Sequence, residues 1–231
     1  ITRVHLEEDT GKLIHPEGAD YSLVDFNRAG VPLMELVTEP DVHTATEASI
    51  FAQELQHILR YLGASDADME KGQMRVEVNI SLSGTKQLGT KVEIKNLNSF
   101  NVVEKAIEYE IKRQSEVLDR GEKIVQETRG WDDVKKQTYS QREKESAHDY
   151  RYFPEPDLPP FHFTQEYIAS LKAKLLELPQ ARKQRFLEEY KLSPNEVDIL
   201  VQNKRAGDYF EESAKSGADP KLAANYILSY L

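Results

Sequence analysis

The chain has 231 residues, of which 39% are hydrophobic and none is cysteine, and its formal net charge is -10. Without cysteine there is no disulfide, no thiolate zinc site and no cysteine nucleophile. With no apolar run near 18 residues no membrane span is expected, and the acidic balance excludes binding of DNA by bulk attraction to phosphates.

The charge is unevenly placed: residues 164–231 hold 10 Lys+Arg and 10 Asp+Glu, so the whole deficit lies in residues 1–163. No basic, apolar, small-residue leader opens the sequence, so nothing suggests secretion; the cytoplasm is the default compartment, with a mitochondrial or plastid origin left open. The chain starts at Ile1-Thr2-Arg3-Val4, already strand-like and without an initiating Met, and reads as part of something longer.

Strand patterns come first, over Ile1–Leu6, Leu23–Phe26 and Leu33–Thr38. Two phrases here, His5-Leu6-Glu7-Glu8-Asp9-Thr10-Gly11-Lys12 and Asn27–Asp41, set six acidic residues among apolar neighbours. Carboxylates aimed off strand ends into one space repel unless a hard cation or a positive substrate group lies between them. A solvated acidic rim and a cation site both fit these phrases. Thr44-Ala45-Thr46-Glu47 is a capping box opening a helix to about Leu62, closed by Gly63.

Two alternating strands follow, Gln73–Leu82 and Gly89–Lys95. One face carries Met74, Val76, Val78, Ile80, Val92 and Ile94; the other carries Arg75, Glu77, Asn79, Lys91, Glu93 and Lys95. The polar face is either the wet side of a sheet or the lining of a cleft. Carboxylates for Mg²⁺ beside Arg and Lys for phosphates are what phosphoryl transfer requires, because positioning and charge neutralisation supply nearly all the catalysis. No Walker-type glycine loop is present.

Asn98 or Ser99 caps a long helix to about Arg120, whose inner face reads Val102, Val103, Ala106, Ile107, Glu110, Ile111 and Leu118. Residues 122–163 read as strand and loop ending in a proline-rich run. Everything after it reads helical, with starts at Thr164, Pro179, Ser193-Pro194 and Asp219-Pro220. The expected organisation is α+β: a mainly antiparallel sheet with packed helices over residues 1–163, then a small all-α domain over residues 164–231. In that second part Arg182-Lys183-Gln184-Arg185 is the most basic stretch. Arg182 and Arg185 share a helix face and could meet phosphates together, against an ordinary solvated face.

Taken in order, His5–Lys12, Asn27–Asp41, Lys91–Ser99, Glu104–Glu110, His148–Leu158 and Leu222–Leu228 resemble the B subunit of aspartyl/glutamyl-tRNA amidotransferases. The resemblance implies a cradle-like, amidoligase-type body followed by a helical domain and a tail. It also implies an ATP- and Mg²⁺-dependent ligase that repairs mischarged tRNA. Such an enzyme phosphorylates the side-chain carboxylate of Glu on tRNA(Gln) or Asp on tRNA(Asn), and ammonia from a glutaminase subunit then displaces the phosphate.

Its implied partners are that glutaminase (A) subunit, a small C subunit and the mischarged tRNA. Carried onto this chain, the metal carboxylates are Glu7, Glu8, Glu35 and Glu93, with Glu77 at a position where the family often has Asp. Glu7, Glu35 and Glu93 would carry the chemistry and are expected to converge, while Glu8, next along the strand, turns away from Glu7. Arg75, Lys91, Lys95 and Arg151 would serve the nucleotide phosphates. The family's first strands and its tail domain are missing from the matched phrases, so this stretch alone is expected to be incomplete as a catalyst. Two other functions suit the residues: a carboxylate–amine ligase acting on a free small molecule, and a non-enzymatic tRNA-binding or assembly module.

Overall fold

The computed structural model describes residues 1–143 and 161–230. The chain falls into two compact units, Ile1–Glu47 and Ala48–Leu231.

The first unit is a nested ribbon. Strands β1 (Arg3–Glu8) and β4 (Pro32–Val37) pair antiparallel, and inside them β2 (Lys12–Ile14) pairs with β3 (Leu23–Asp25). Backbone bonds from Asp9 N to Val31 O (2.8 Å) and from Gly30 N to Asp9 O (2.9 Å) extend the outer ladder beyond the strands. Side chains alternate along a strand, so Arg3, His5 and Glu7 share one face of β1 and Val4, Leu6 and Glu8 the other. The register sets His5 opposite Glu35, Val4 opposite Leu36 and Leu6 opposite Met34. One side is thereby charged and the other aliphatic. No residue of 1–44 is buried. Strand β2 lies outside the sequence-based expectation: three residues are too few to display an alternation.

The second unit contains a four-stranded sheet ordered β5 (Val76–Ile80), β6 (Val92–Leu97), β7 (Glu127–Asp132), β8 (Gln137–Glu143). Its outer pairings are antiparallel, but β6 and β7 run parallel. The parallel pair follows from α2 (Phe100–Asp119), which carries the chain back before β7 begins. The mainly antiparallel α+β expectation therefore stands, with one parallel crossover at its centre.

The aliphatic face predicted from the alternation is the buried one: Val92 and Ile94 are 0% exposed, as are Val103 and Ala106 of α2. The alternation breaks at Asn96, whose φ of 64° accompanies a register shift opposite Val76 and Val78. The extra residue of this bulge returns Leu97 to the buried side.

Both predicted helix starts in the body are realised. Glu47 N bonds Thr44 Oγ1 (3.1 Å) while the Glu47 carboxylate accepts from Thr44 N (3.1 Å), opening α1 (Ala45–Tyr61). Ser99 caps α2 through Val102 N (3.2 Å). Gly63 and Gly121 end these helices at positive φ, 66° and 74°, a conformation that carries no penalty without a Cβ.

From residue 161 onward the described residues hold α3 (Gln165–Lys174), α4 (Pro179–Glu189), α5 (Pro194–Gln202), α6 (Lys204–Lys215) and α7 (Pro220–Tyr230). The last four enclose a core of Phe186, Leu200, Val201, Phe210, Ala224 and Ile227, while α3 buries nothing. Helix α6 carries no start signal of the expected kind. Only Gly207 and Phe210 of it are buried, too few for a periodic apolar signal, although Asn203 caps it through Arg205 N (3.0 Å).

The compact units divide after Glu47, and the helices group with the sheet. One link is the buried bond from Arg182 Nη1 to the Tyr61 hydroxyl (2.7 Å). No described helix is long and apolar enough to cross a membrane.

Candidate functional site

On the charged side of the ribbon, His5, Glu7 and Glu35 bring one ligand atom each to within 4.8 Å of one another. The cause is local. His5 and Glu7 are two apart on β1, and Glu35 is the cross-strand partner of His5. Glu35 also lies 3.5 Å from Arg3 Nη2 and 3.9 Å from His5 Nδ1. A hard cation with ligand bonds of about 2.1 Å holds its ligands up to about 4.2 Å apart, so two carboxylates and an imidazole at this spacing fit a divalent ion after small side-chain movements.

Glu8 is not in the group. It points off the opposite face of β1, opposite Pro32, turned away from Glu7 as strand alternation requires. His5, by contrast, belongs to the acidic phrase but carries no expected role. Its two-residue spacing from Glu7 is the signal that would find it.

Of the three carboxylates expected to converge, Glu7 and Glu35 meet on the ribbon, and Glu93 belongs to the sheet of the second unit. There Lys95 Nζ lies 3.3 Å from Glu77 Oε2 and 3.6 Å from Glu93 Oε1. Partial burial lowers the Lys95 ammonium's affinity for its proton, but the charges of Glu77 and Glu93 outweigh this and raise its pKa above the ordinary lysine value. The other oxygen of Glu93 accepts a hydrogen bond from Thr128 Oγ1 on β7 at 2.7 Å. The Glu93 side chain is 16% exposed and that of Glu77 45%, so Glu93 is mostly covered and Glu77 is the more open of the two. Arg75 and Lys91 are exposed immediately before β5 and β6, on the same alternating face. Arg151, with the whole His148–Leu158 stretch, lies outside the described residues.

On the α2 side of the sheet a second charged group is closed. Glu110, 0% exposed, accepts from Arg113 Nε (2.9 Å) and Nη2 (2.8 Å), Gln114 Nε2 (3.0 Å) and Thr138 Oγ1 (2.5 Å). Arg129 Nε is 3.1 Å from Glu110 Oε1, and Arg129 Nη1 donates to Glu127 Oε1 at 2.5 Å. Burial pushes the Glu110 carboxyl up, but the hydrogen bonds from Arg113, Thr138 and Gln114 outweigh it and hold the group below the ordinary carboxylate range. The charges of this network are answered inside the fold, and Gln114 Oε1 is its one buried side-chain atom without a hydrogen-bond partner among the described residues. Its position on the apolar stripe of its helix already marks Glu110 as inward-facing in the sequence.

The basic stretch on α4 is also spoken for. Arg182 is 4% exposed and donates to Asp208 Oδ1 (2.7 Å) and Glu211 Oε2 (3.2 Å) as well as Tyr61. Its place four residues before the core residue Phe186 turns it inward. Arg185 is clasped by Glu177 (2.6 and 2.8 Å), Glu189 (3.3 Å) and Glu211 (3.0 Å). The expectation that these two arginines present a free face to RNA phosphates is therefore corrected: they are internal struts. The adjoining cleft of about 390 Å³, lined among others by His57, Arg60, Lys183 and Lys204, is no freer. Lys183 pairs with Asp198 (2.9 Å) and Lys204 with Asp208 (2.8 Å).

Comparison with known proteins adds the following. Residues 1–169 match the family described as the GatB/GatE catalytic domain. The chain is 50% identical, over its whole length, to the B subunit of the aspartyl/glutamyl-tRNA(Asn/Gln) amidotransferase of Carboxydothermus hydrogenoformans, covering 49% of that protein. It is 51% identical to the Thermosynechococcus vestitus protein of the same name over 99% of the chain and 47% of the relative. The counterpart in Crocosphaera subtropica is 49% identical over 98% of the chain and 47% of the relative. The chain thus spans about half the length of the curated relatives it matches.

Proposed function

The chain belongs to the GatB/GatE catalytic-domain family, and from that premise we propose that the protein containing it activates the side-chain carboxylate of Glu on tRNA(Gln) or Asp on tRNA(Asn). In this reading the substrate carboxylate attacks the γ-phosphorus of ATP, ADP departs, and ammonia then displaces phosphate to leave the amide. A glutaminase subunit and a small third subunit complete the enzyme, and the mischarged tRNA presents the carboxylate.

The single observation that best supports this reading is the open face of the second unit's sheet. It carries Lys95 within ion-pair distance of both Glu77 and Glu93, with Arg75 and Lys91 on the same alternating face. Carboxylates for a divalent ion beside cations for phosphates are the minimum equipment for phosphoryl transfer. When bound, the ion would neutralise phosphate charge. Glu77 and Glu93 would hold it, and His5, Glu7 and Glu35 form a second set suited to a divalent ion. The chain's own cations act separately, since Lys95, Lys91 and Arg75 would orient the phosphates and offset the charge that develops on them. The carboxylates are also suited to repel an unactivated substrate carboxylate until that charge is neutralised.

A small free substrate is disfavoured as the alternative, because the relatives that match the chain throughout are all named for tRNA. The test is Glu93→Gln in the full-length protein assembled with its partners. The exchange keeps size and hydrogen bonding but deletes the charge. Amide formation on mischarged tRNA and tRNA-dependent ADP release are expected to fall at least about a hundredfold, while the partner's glutaminase activity assayed alone is retained. Wild-type amide formation by this variant would remove Glu93 from the reaction.

A further inference from the structure

The 2.7 Å bond from Thr128 Oγ1 to Glu93 Oε2 is a feature that no local sequence pattern suggests and that the proposed chemistry has not used. We propose that Thr128 is the positioning residue that fixes the Glu93 carboxylate for cation binding. The inference rests on Glu93 acting as a carboxylate toward a divalent ion.

Three observations carry it. First, the parallel register puts Thr128 directly beside Glu93, so the hydroxyl reaches the carboxylate across one strand spacing without a long, mobile side chain. A threonine has few χ1 options, and a neighbouring acceptor selects one of them. Second, Thr128 is 8% exposed while Glu93 keeps an outward oxygen 3.6 Å from Lys95 Nζ. A hydroxyl bonded to one oxygen holds the carboxylate, and with it the oxygen that faces Lys95, in one orientation. A bond to the charged form of a carboxylate is worth more than one between neutral groups.

Third, the residues flanking Thr128 are pinned from the other side of the sheet. Glu127 and Arg129 are joined to each other at 2.5 Å, and Arg129 reaches Glu110 at 3.1 Å and the Thr138 carbonyl at 3.1 Å. A register shift between Thr128 and Arg129 accompanies this anchoring, and such irregularities commonly re-aim a side chain next to a site. The closed network beneath the sheet therefore holds the strand whose hydroxyl orients the open carboxylate above it. Groups that orient a metal-binding carboxylate typically account for about 10- to 100-fold in metal affinity.

The test uses the full-length protein in its assembled complex and Mn²⁺ as the probe, its free concentration followed by electron paramagnetic resonance. Glu93→Gln defines the component of Mn²⁺ binding that depends on Glu93. Thr128→Val keeps the β-branched shape and removes the hydroxyl, and is expected to weaken that component about tenfold; Thr128→Ser keeps the hydroxyl and should stay within about twofold of wild type. Thermal melting of each variant accompanies the titration. Should Val lower the melting temperature, the Ser/Ala pair at position 128 isolates the hydroxyl at matched size, with Ser expected to bind about tenfold tighter than Ala.

Equal Mn²⁺ binding by hydroxyl-bearing and hydroxyl-free variants, with Glu93→Gln still defective, overturns the role of Thr128 and leaves the reading of Glu93 intact. Undiminished Mn²⁺ binding by Glu93→Gln overturns that reading and this inference with it.

Discussion

Glu93 and Glu110 flank one sheet, and the same functional group is treated in two ways. Glu110 is fully buried, and four side chains, those of Arg113, Gln114, Arg129 and Thr138, converge on its oxygens. Glu93 sits mostly covered on the other face, with a hydroxyl on one oxygen and an ammonium 3.6 Å from the other. The pKa direction alone draws attention to Glu110, which is held low. Its saturation by four buried or half-buried side chains is what removes it from candidacy, since a fully buried carboxylate answered in this way stabilises the chain. Arg182 repeats the lesson with the sign reversed. A candidate cation for RNA by its sequence, it proves to be a buried cation for Asp208, Glu211 and Tyr61.

The comparison breaks or holds on stability measurements. The largest effect is expected for Glu110→Ala, which removes the fully buried carboxylate shared by Arg113 and Arg129 and leaves the two guanidinium groups with Glu127 alone among the described carboxylates. A loss of about 3–5 kcal/mol in a denaturant titration is expected, against about 1 kcal/mol for Glu93→Gln, which keeps an acceptor for Thr128 and loses the charge facing Lys95. Comparable losses for the two would erase the distinction between closed and open carboxylates. Next comes Arg182→Ala, with a loss of about 3 kcal/mol because Asp208 and Glu211 lose a buried partner. Arg185→Ala, on a side chain 26% exposed, should cost about 1 kcal/mol. Neither is expected to change the salt dependence of tRNA binding beyond what lost stability explains. A flattened salt slope for Arg185→Ala at full folding would return that residue to the RNA interface.

The smallest effect is one of pH. Burial pushes the Glu211 carboxyl up, but hydrogen bonds and charge from Arg185 and Lys215 outweigh it and hold it at about 2, below the ordinary 4.5. A depressed folded value means the contribution is complete above about pH 4.5 and is lost as the pH falls toward 2. Melting temperature should therefore decline through that window, and Glu211→Gln should flatten that part of the decline. A variant with an unaltered acid limb would show that other carboxylates govern it.

Legibility in the sequence followed the length of the signal. The capping box at Thr44, the cap at Ser99 and the box at Ser193 were all readable, because each is a contact between residues three apart. The buried aliphatic face of β5 and β6 was readable for the same reason, as a two-residue period. Helix α6, with two buried residues, and β2, with three residues in all, gave no period to read. Among site residues, Glu7, Glu35, Glu77, Glu93 and Lys95 came from local phrases, and their grouping into a ribbon set and a sheet set follows the strand registers.

What the sequence determined by itself was the class of structure and which residue types share a face, because alternation and capping act over a few residues and need no distant partner. It also determined family membership, through long ordered phrases. Tertiary structure alone decided which charges are spent. Thr128 reaches Glu93 across 35 positions, Arg182 reaches Tyr61 across 121, and Thr138 reaches Glu110 across 28. Such contacts exist only once the strands have chosen their register and the helices their packing. Whether a charged residue is a strut or a site depends on the donors and acceptors that arrive from those distant segments, since an unanswered charge in a low-dielectric surrounding must find a partner in the fold or be left for one from outside.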